Sequence, residues 1–191
     1  MQKDRARSEL QAFSAHYDYD VSYLEQILET APEAYEGFMA LTELARQRQA
    51  VPPQAFYAAK LLGALEEDCG PCIQLVVDMA REAGIAPAQI ASVVTRDPEA
   101  MTPDTLLGFW FAESLLGRSP EADSAREAVR SRWGTAGVID LTLGLQIGRI
   151  FPMVKTGLGF GKTCQRIKLG DEVVVPARAT VGTVVEAEAV A

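Results

Sequence analysis

LEEDCGPCIQLVVDMAREAG, residues Leu65 to Gly84, carries two of the chain's three cysteines, three positions apart and directly behind three acids. Gly70 and Pro71 end one apolar run and open another. Ile73, Val76, Val77 and Ala80 recur on one helical face, and Gly84 supplies a C-terminal stop. Proline suits a first helical turn. The stretch therefore reads as a joint between two helices, with Cys69 just ahead of the second helix and Cys72 inside its first turn. Unpaired N–H groups and the positive end of the helix dipole favour a thiolate there. Cys69 and Cys72 are close enough to bridge in a very small ring. Glu66, Glu67 and Asp68 oppose a thiolate through like charge. Two roles are open for these acids: the solvated end of the preceding helix, or a proton acceptor for a thiol, with Glu66 and Glu67 as the candidates.

Outward from this joint the chain reads as helices separated by proline and glycine. Upstream, a short polar helix is expected over 5–17. Ser22 and Glu25 have capping-box spacing ahead of Leu24, Ile27 and Leu28. A helix from Pro32 to about Gln49 ends before Pro52-Pro53, and an Ala/Leu-rich helix follows from Phe56 to about Glu67. Downstream, Pro87 begins a short helix. Thr102-Pro103-Asp104 starts another that ends at Gly117, and Pro120 opens one to about Trp133. Gly134–Val154 reads as a long apolar helix, bent at Pro152. The β-branched end beyond Gly170 looks extended or irregular, and Pro176 argues against a central strand there. No strand–helix alternation announces a parallel sheet. The expected organisation is all-α: an N-terminal extension over 1–20, one helical domain over 21–170, and an extended or disordered tail over 171–191.

A length of 191 residues with 48% hydrophobic composition suffices for one well-buried domain. The net charge of −8 disfavours nucleic acid and anionic lipid as partners. The charged N-terminus lacks the apolar stretch of a secretory signal, and three cysteines leave one outside any internal pairing. Both point to the cytoplasm. Asp140, Gln146 and Arg149 interrupt the long apolar segment, which favours a core helix over a membrane span.

The tetrapeptide CGPC matches the thioredoxin active site, but that fold places it after a β-strand. Here an Ala/Leu helix precedes it. A zinc site would need two further ligands, and the remaining candidates are Cys164 and the single histidine, His16. A pair of small buried residues is the plainest alternative. Neither a metal nor a cofactor is expected. The helix, the CxxC, then "AREAGI" before "APAQIASVV", with "VPPQAFYAAKLLGAL" and "ALTELARQRQAVPP" upstream, resembles the carboxymuconolactone decarboxylase and alkylhydroperoxidase D-like family, most clearly from Pro32 to Val94. The resemblance implies an all-helical fold that assembles into homo-oligomers. It also implies peroxide chemistry in which Cys72 attacks, Cys69 resolves to a disulfide, and a dithiol reductant protein restores the pair. Two positions depart from the family pattern: Val76 stands where a relay histidine would be, and Tyr57 where a glutamate would be. Thiol–disulfide exchange needs only the two cysteines, so it survives that loss. The alternatives are a non-catalytic helical oligomer and, lower, a lactone decarboxylase.

Other features have structural readings first. Phe109-Trp110-Phe111 wraps most of a helix and reads as core or subunit contact. Gly144 and Gly148 allow close helix approach, either within one subunit or between subunits. Asp140 and Arg149 require partners, and Lys60 is expected to be solvated.

Overall fold

A computed structural model describes residues 3–162 and 166–177 of the chain. Its elements are α1 (Lys3–Tyr17), α2 (Ser22–Thr30), α3 (Pro32–Met39), α4 (Leu41–Leu44), α5 (Pro53–Glu66), α6 (Gly70–Glu82), α7 (Pro87–Thr95), a short 3₁₀ turn (Pro98–Ala100), α8 (Pro103–Leu116), α9 (Ala122–Gly157), and the strands β1 (Ile167–Leu169) and β2 (Glu172–Val174). The expected all-helical character holds for the body of the protein.

Helix α5 is apolar on nearly every side, and such a helix belongs at the centre of a fold. It packs against α8 and α9 and also contacts α6 and α7. Glycine sets the closeness of these crossings. A Cβ at Gly148 would lie 2.1 Å from the Lys60 carbonyl oxygen, one at Gly63 2.3 Å from that of Leu145, and one at Gly108 2.3 Å from that of Ala55. Gly144 faces the Phe56 ring. These glycines therefore serve packing inside the subunit. Phe109, Trp110 and Phe111 are all buried in the same core.

Gly134 divides α9. Its left-handed φ of 69° interrupts the helix between Trp133 and Thr135, as the sequence suggests, whereas the helix continues through Pro152 to Gly157. Among the described residues α9 alone is long and apolar enough to cross a membrane. One of its faces, including Leu141, Gly144, Leu145 and Gly148, is buried in the protein. Asp140 is buried in α9, and its Oδ2 accepts the backbone N–H groups of Gln49, Ala50 and Val51 at 2.9, 2.7 and 3.2 Å. That carboxylate satisfies three donors ahead of α5 and anchors the segment leading into it.

Four expectations need correction. The helix from Pro32 does not run to Gln49. It tightens at Ala40 and gives way to the single turn α4, where the Thr42 hydroxyl donates to the Met39 carbonyl. The Ser22–Glu25 capping box does not form. Instead Asp20 Oδ1 accepts the Ser22 N–H at 3.0 Å and its hydroxyl at 2.5 Å. Residues 1–20 do not stand apart as an extension: from position 3 they form α1 and its following loop, which bury Ala6, Leu10 and Tyr19. Finally, β1 and β2 pair antiparallel around Gly170, so the 170/171 boundary falls within a hairpin. Ile167 and Leu169 are buried in the main core, and the Gln74 amide holds both backbone groups of Lys168. A three-residue alternation is too short to stand out in sequence. Most of the predicted tail, from position 178, lies outside the described residues.

Gly148→Ala should lower stability by about 3 kcal/mol, because the new methyl meets backbone that cannot yield. Gly37→Ala is the control: its Cβ would meet nothing within 4 Å, and it should gain about 0.5–1 kcal/mol. Denaturant midpoints of the two variants check this.

Candidate functional site

After α5 ends, Asp68 turns the chain with a left-handed φ of 47°, and Cys69 becomes the N-cap residue of α6. The Cys69 carbonyl accepts the Ile73 N–H at 2.9 Å, and the Gly70 N–H donates to the Lys162 carbonyl at 3.0 Å. Cys72 thus lies in the first helical turn, as its position behind Gly70-Pro71 predicts. The two sulfurs are joined as a disulfide, with the Cα atoms 5.3 Å apart.

Helix α6 lies between two hydrophobic clusters. Ile73, Val76, Val77 and Ala80 belong to the main core, whereas Cys69 and Cys72 belong to a second cluster built largely from α1, α2 and the residues around them. Ala6, Leu10, Tyr19, Val21, Tyr23, Leu24, Leu28 and Tyr35 form the buried part of that cluster. Phe38 and Phe151, 4.7 Å between ring centroids, tie α3 to the end of α9. Both cysteines are consequently sealed, at 1% and 3% exposure.

The acids proposed as proton acceptors point elsewhere. Glu66 is exposed, and Glu67 Oε1 takes the Arg149 Nε–H at 2.7 Å, which gives Arg149 its partner. Neither carboxylate hydrogen-bonds a sulfur. Val76 is buried in the main core, and Tyr57 stacks edge-on against Phe56. His16 sits at the surface, where its Nε2 meets Glu82 Oε1 at 2.7 Å while the Tyr17 hydroxyl donates to Glu82 Oε2 at 2.6 Å. Among the described residues no three His, Cys, Asp or Glu side chains converge as a metal site, and Cys164 lies outside those residues.

The group that does reach a cysteine is Tyr19, whose hydroxyl stands 3.5 Å from Cys72 Sγ across 53 positions of sequence. Burial pushes its phenol up to about 12. Tyr23 stands edge-on to Tyr19, with ring centroids 6.5 Å apart, and burial raises its pKa as well. Behind them lies Lys155, 1% exposed, its ammonium 4.1 Å from the Tyr19 ring centroid and 5.3 Å from that of Tyr23. Lys155 donates to the Asp20 carbonyl at 2.7 Å and lies 3.8 Å from the Asp20 carboxylate. Burial lowers its pKa, and Asp20 opposes that shift. The two Ser22 hydrogen bonds, and secondarily Lys155, hold Asp20 below the usual carboxylate range. Nothing in the sequence relates Tyr19 to Cys72. A signal for Lys155 does exist: Leu141, Gly148 and Lys155 recur every seven residues on the buried side of α9.

Lys60 also differs from expectation. It is 5% exposed, its ammonium 3.7 Å from Met79 Sδ and 5.5 Å from the Tyr57 ring centroid, and burial lowers its pKa to about 8. The carbonyl of the same residue supports the Gly148 crossing, so the backbone there is committed to packing.

No family model, curated protein or solved structure matches the chain.

Between pH 8 and 10.5 the unfolded chain keeps the Lys60 proton that the folded chain has released, so this group makes stability rise with pH across that window. Below it the folded protein bears the full cost, on the order of 3 kcal/mol. Lys60→Met should therefore be more stable than wild type at pH 7 by about 2–3 kcal/mol, and the difference should vanish toward pH 10.5. Denaturant titrations of both proteins across that range measure it.

Proposed function

We propose that this chain is a cytoplasmic thiol–disulfide redox protein of the alkylhydroperoxidase D-like type. Cys72 attacks, Cys69 resolves, a small hydroperoxide is the oxidant and a dithiol protein the reductant. The observation that carries the reading is the sulfur–sulfur bond at the first turn of α6. A bridge closing four residues removes only on the order of 2 kcal/mol of chain freedom from the unfolded state, less than a long-range bridge would. In a reducing compartment, disulfides are for the most part transient and catalytic.

The chemistry closes on these two residues. The Cys72 thiolate attacks the distal peroxide oxygen; an S–O bond forms, the O–O bond breaks, and the alkoxide takes a proton from water. The Cys69 thiol then attacks the sulfenic sulfur, the S–S bond forms, and the departing hydroxide leaves as water with the thiol proton. Two electrons from the dithiol reductant reopen the bond by exchange.

A second reading, a non-catalytic helical oligomer, draws support from the burial of both sulfurs and from Val76 and Tyr57 at the relay positions. The two readings differ in access. Catalysis requires a local opening of the cluster over the sulfurs, whereas a structural bridge opens only on global unfolding.

Homo-oligomerisation is part of the same proposal. Ile139, Leu143, Gln146, Ile150 and Met153 follow alternating four- and three-residue steps along α9, with Ile139 and Met153 about half exposed. This seam suits a second copy of the helix. Light scattering should give an assembly mass for wild type and a monomer mass for the double variant Ile139→Glu, Met153→Glu.

For the redox reading, a small dithiol should reduce Cys69–Cys72 while circular dichroism stays native, and hydroperoxide should restore the bond. Cys72→Ser should abolish peroxide consumption. Cys69→Ser should consume one peroxide per chain and stop at the sulfenic acid. A bridge that resists reductant until the protein unfolds would decide for the structural reading.

A further inference from the structure

We propose that the Tyr19 hydroxyl is the hydrogen-bond donor that holds the Cys72 sulfur as a thiolate, with Tyr23, Lys155 and Asp20 positioning it. The inference rests on Cys72 being the reacting sulfur and supplies what Val76 and Tyr57 cannot.

Geometry carries the argument. In the disulfide neither sulfur has a hydrogen, so across the 3.5 Å contact Tyr19 is the donor and Cys72 Sγ the acceptor. Tyr23 lies beside Tyr19, itself buried and tied to the same lysine, whose ammonium is 5.3 Å from its ring centroid. The ring of Tyr19 is fixed on several sides. Phe13 meets it edge-on at 6.1 Å and Tyr23 at 6.5 Å, and the Lys155 ammonium lies over its face. The backbone is fixed as well: Asp18 turns with a left-handed φ of 49°, and the Tyr19 N–H returns to the Ser14 carbonyl at 3.1 Å. A cation over a phenol ring draws electron density away from the hydroxyl and makes it a stronger donor. Lys155 is buried among apolar groups, and Asp20 holds it through both a carbonyl and a carboxylate. A lysine in such a place needs a reason to be retained, because a methionine would fill the same volume without the cost of burying charge. Support of an anion on the adjacent sulfur is such a reason. The phenol, pushed up by burial, remains protonated and donating throughout the neutral range.

The step is heterolytic. A reductant thiolate attacks Cys69 Sγ, a new S–S bond forms between them, the Cys69–Cys72 bond breaks, and its electron pair departs on Cys72 Sγ. The second thiolate of the dithiol reductant then displaces Cys69, which takes up a proton. Tyr19 gives up no proton in this sequence; its O–H stabilises the sulfur anion that the first exchange creates. Tyr19 touches that sulfur, Tyr23 and Tyr35 share its cluster, Asp20 and Lys155 of α9 lie behind Tyr19 with Lys162 acting on both, and Asp68 directly precedes Cys69.

The test is the apparent pKa of Cys72, read from the pH dependence of alkylation of its own peptide in the Cys69→Ser protein, with and without Tyr19→Phe. Hydrogen bonds to charged groups contribute about 1.5–3 kcal/mol, which is about one to two pH units. Tyr19→Phe should raise the Cys72 pKa by about one unit or more, and Lys155→Met should raise it by less. A Cys72 that titrates in wild type but does not move in a natively folded Tyr19→Phe protein overturns the assignment and leaves the redox reading standing. A Cys72 that never reacts in the folded protein overturns both. If Tyr19→Phe fails to fold, Lys155→Met removes only the cation over the Tyr19 ring; a smaller rise of the same sign supports the assignment, and no rise overturns it.

Discussion

Backbone-to-backbone contact around α5 is the constraint from which the remaining geometry follows. Three crossings lack room for even a methyl group: Gly63 against Leu145, Gly108 against Ala55 and Gly148 against Lys60. Packing this close multiplies dispersion contacts along two helix pairs and leaves α5 no freedom to slide. Its position sets where it ends, and the Asp68 turn at that end sets where α6 begins. Cys69 and Cys72 are placed by this sequence of contacts. The Asp140 carboxylate, gathering three N–H groups ahead of α5, fixes the other end.

The second consequence is the division of α6 between two cores. One face belongs to the interior of the bundle, and its first turn belongs to a smaller cluster closed by the N-terminal helices. The disulfide lies in the smaller cluster, where fewer apolar contacts hold the cover in place. Local opening free energies scale with that kind of support. The same cluster contains the protein's most unusual polar arrangement: two buried phenols and a buried lysine beside a sulfur. A polar group in such surroundings is costly unless partnered, and here each partner is itself polar and fixed. Tyr19, Asp20 and Tyr23 belong to the segment that closes over the sulfurs, so the site's polar groups are carried by its own cover and anchored by Lys155 of α9.

Much of the architecture was legible because helical periodicity and proline–glycine punctuation are local properties. Pro71, Pro87 and Pro103 each fall in the first turn of a helix, and Gly84 takes the left-handed φ that a C-terminal stop implies. Nothing in the composition of the segment from Pro32 reveals the tightening at Ala40. The hairpin leaves no sequence signal because Ile167 and Leu169 have meaning only against the core they fill. Lys60 has no such signal, because lysine is solvated by default and only neighbours distant in sequence decide otherwise.

The sequence by itself determined that two thiols would meet at the start of a helix, since CGPC carries its own turn and its own helix-starting proline. Tertiary structure alone decided what surrounds them. The negative charge just ahead of the pair turned outward, with Glu66 exposed and Glu67 on Arg149. A tyrosine 53 positions away came to the sulfur, and a lysine from α9 came to the tyrosine. The physical reason is one of range. Backbone preference acts over a few residues, whereas the environment of a sulfur depends on which faces of separate helices are buried together.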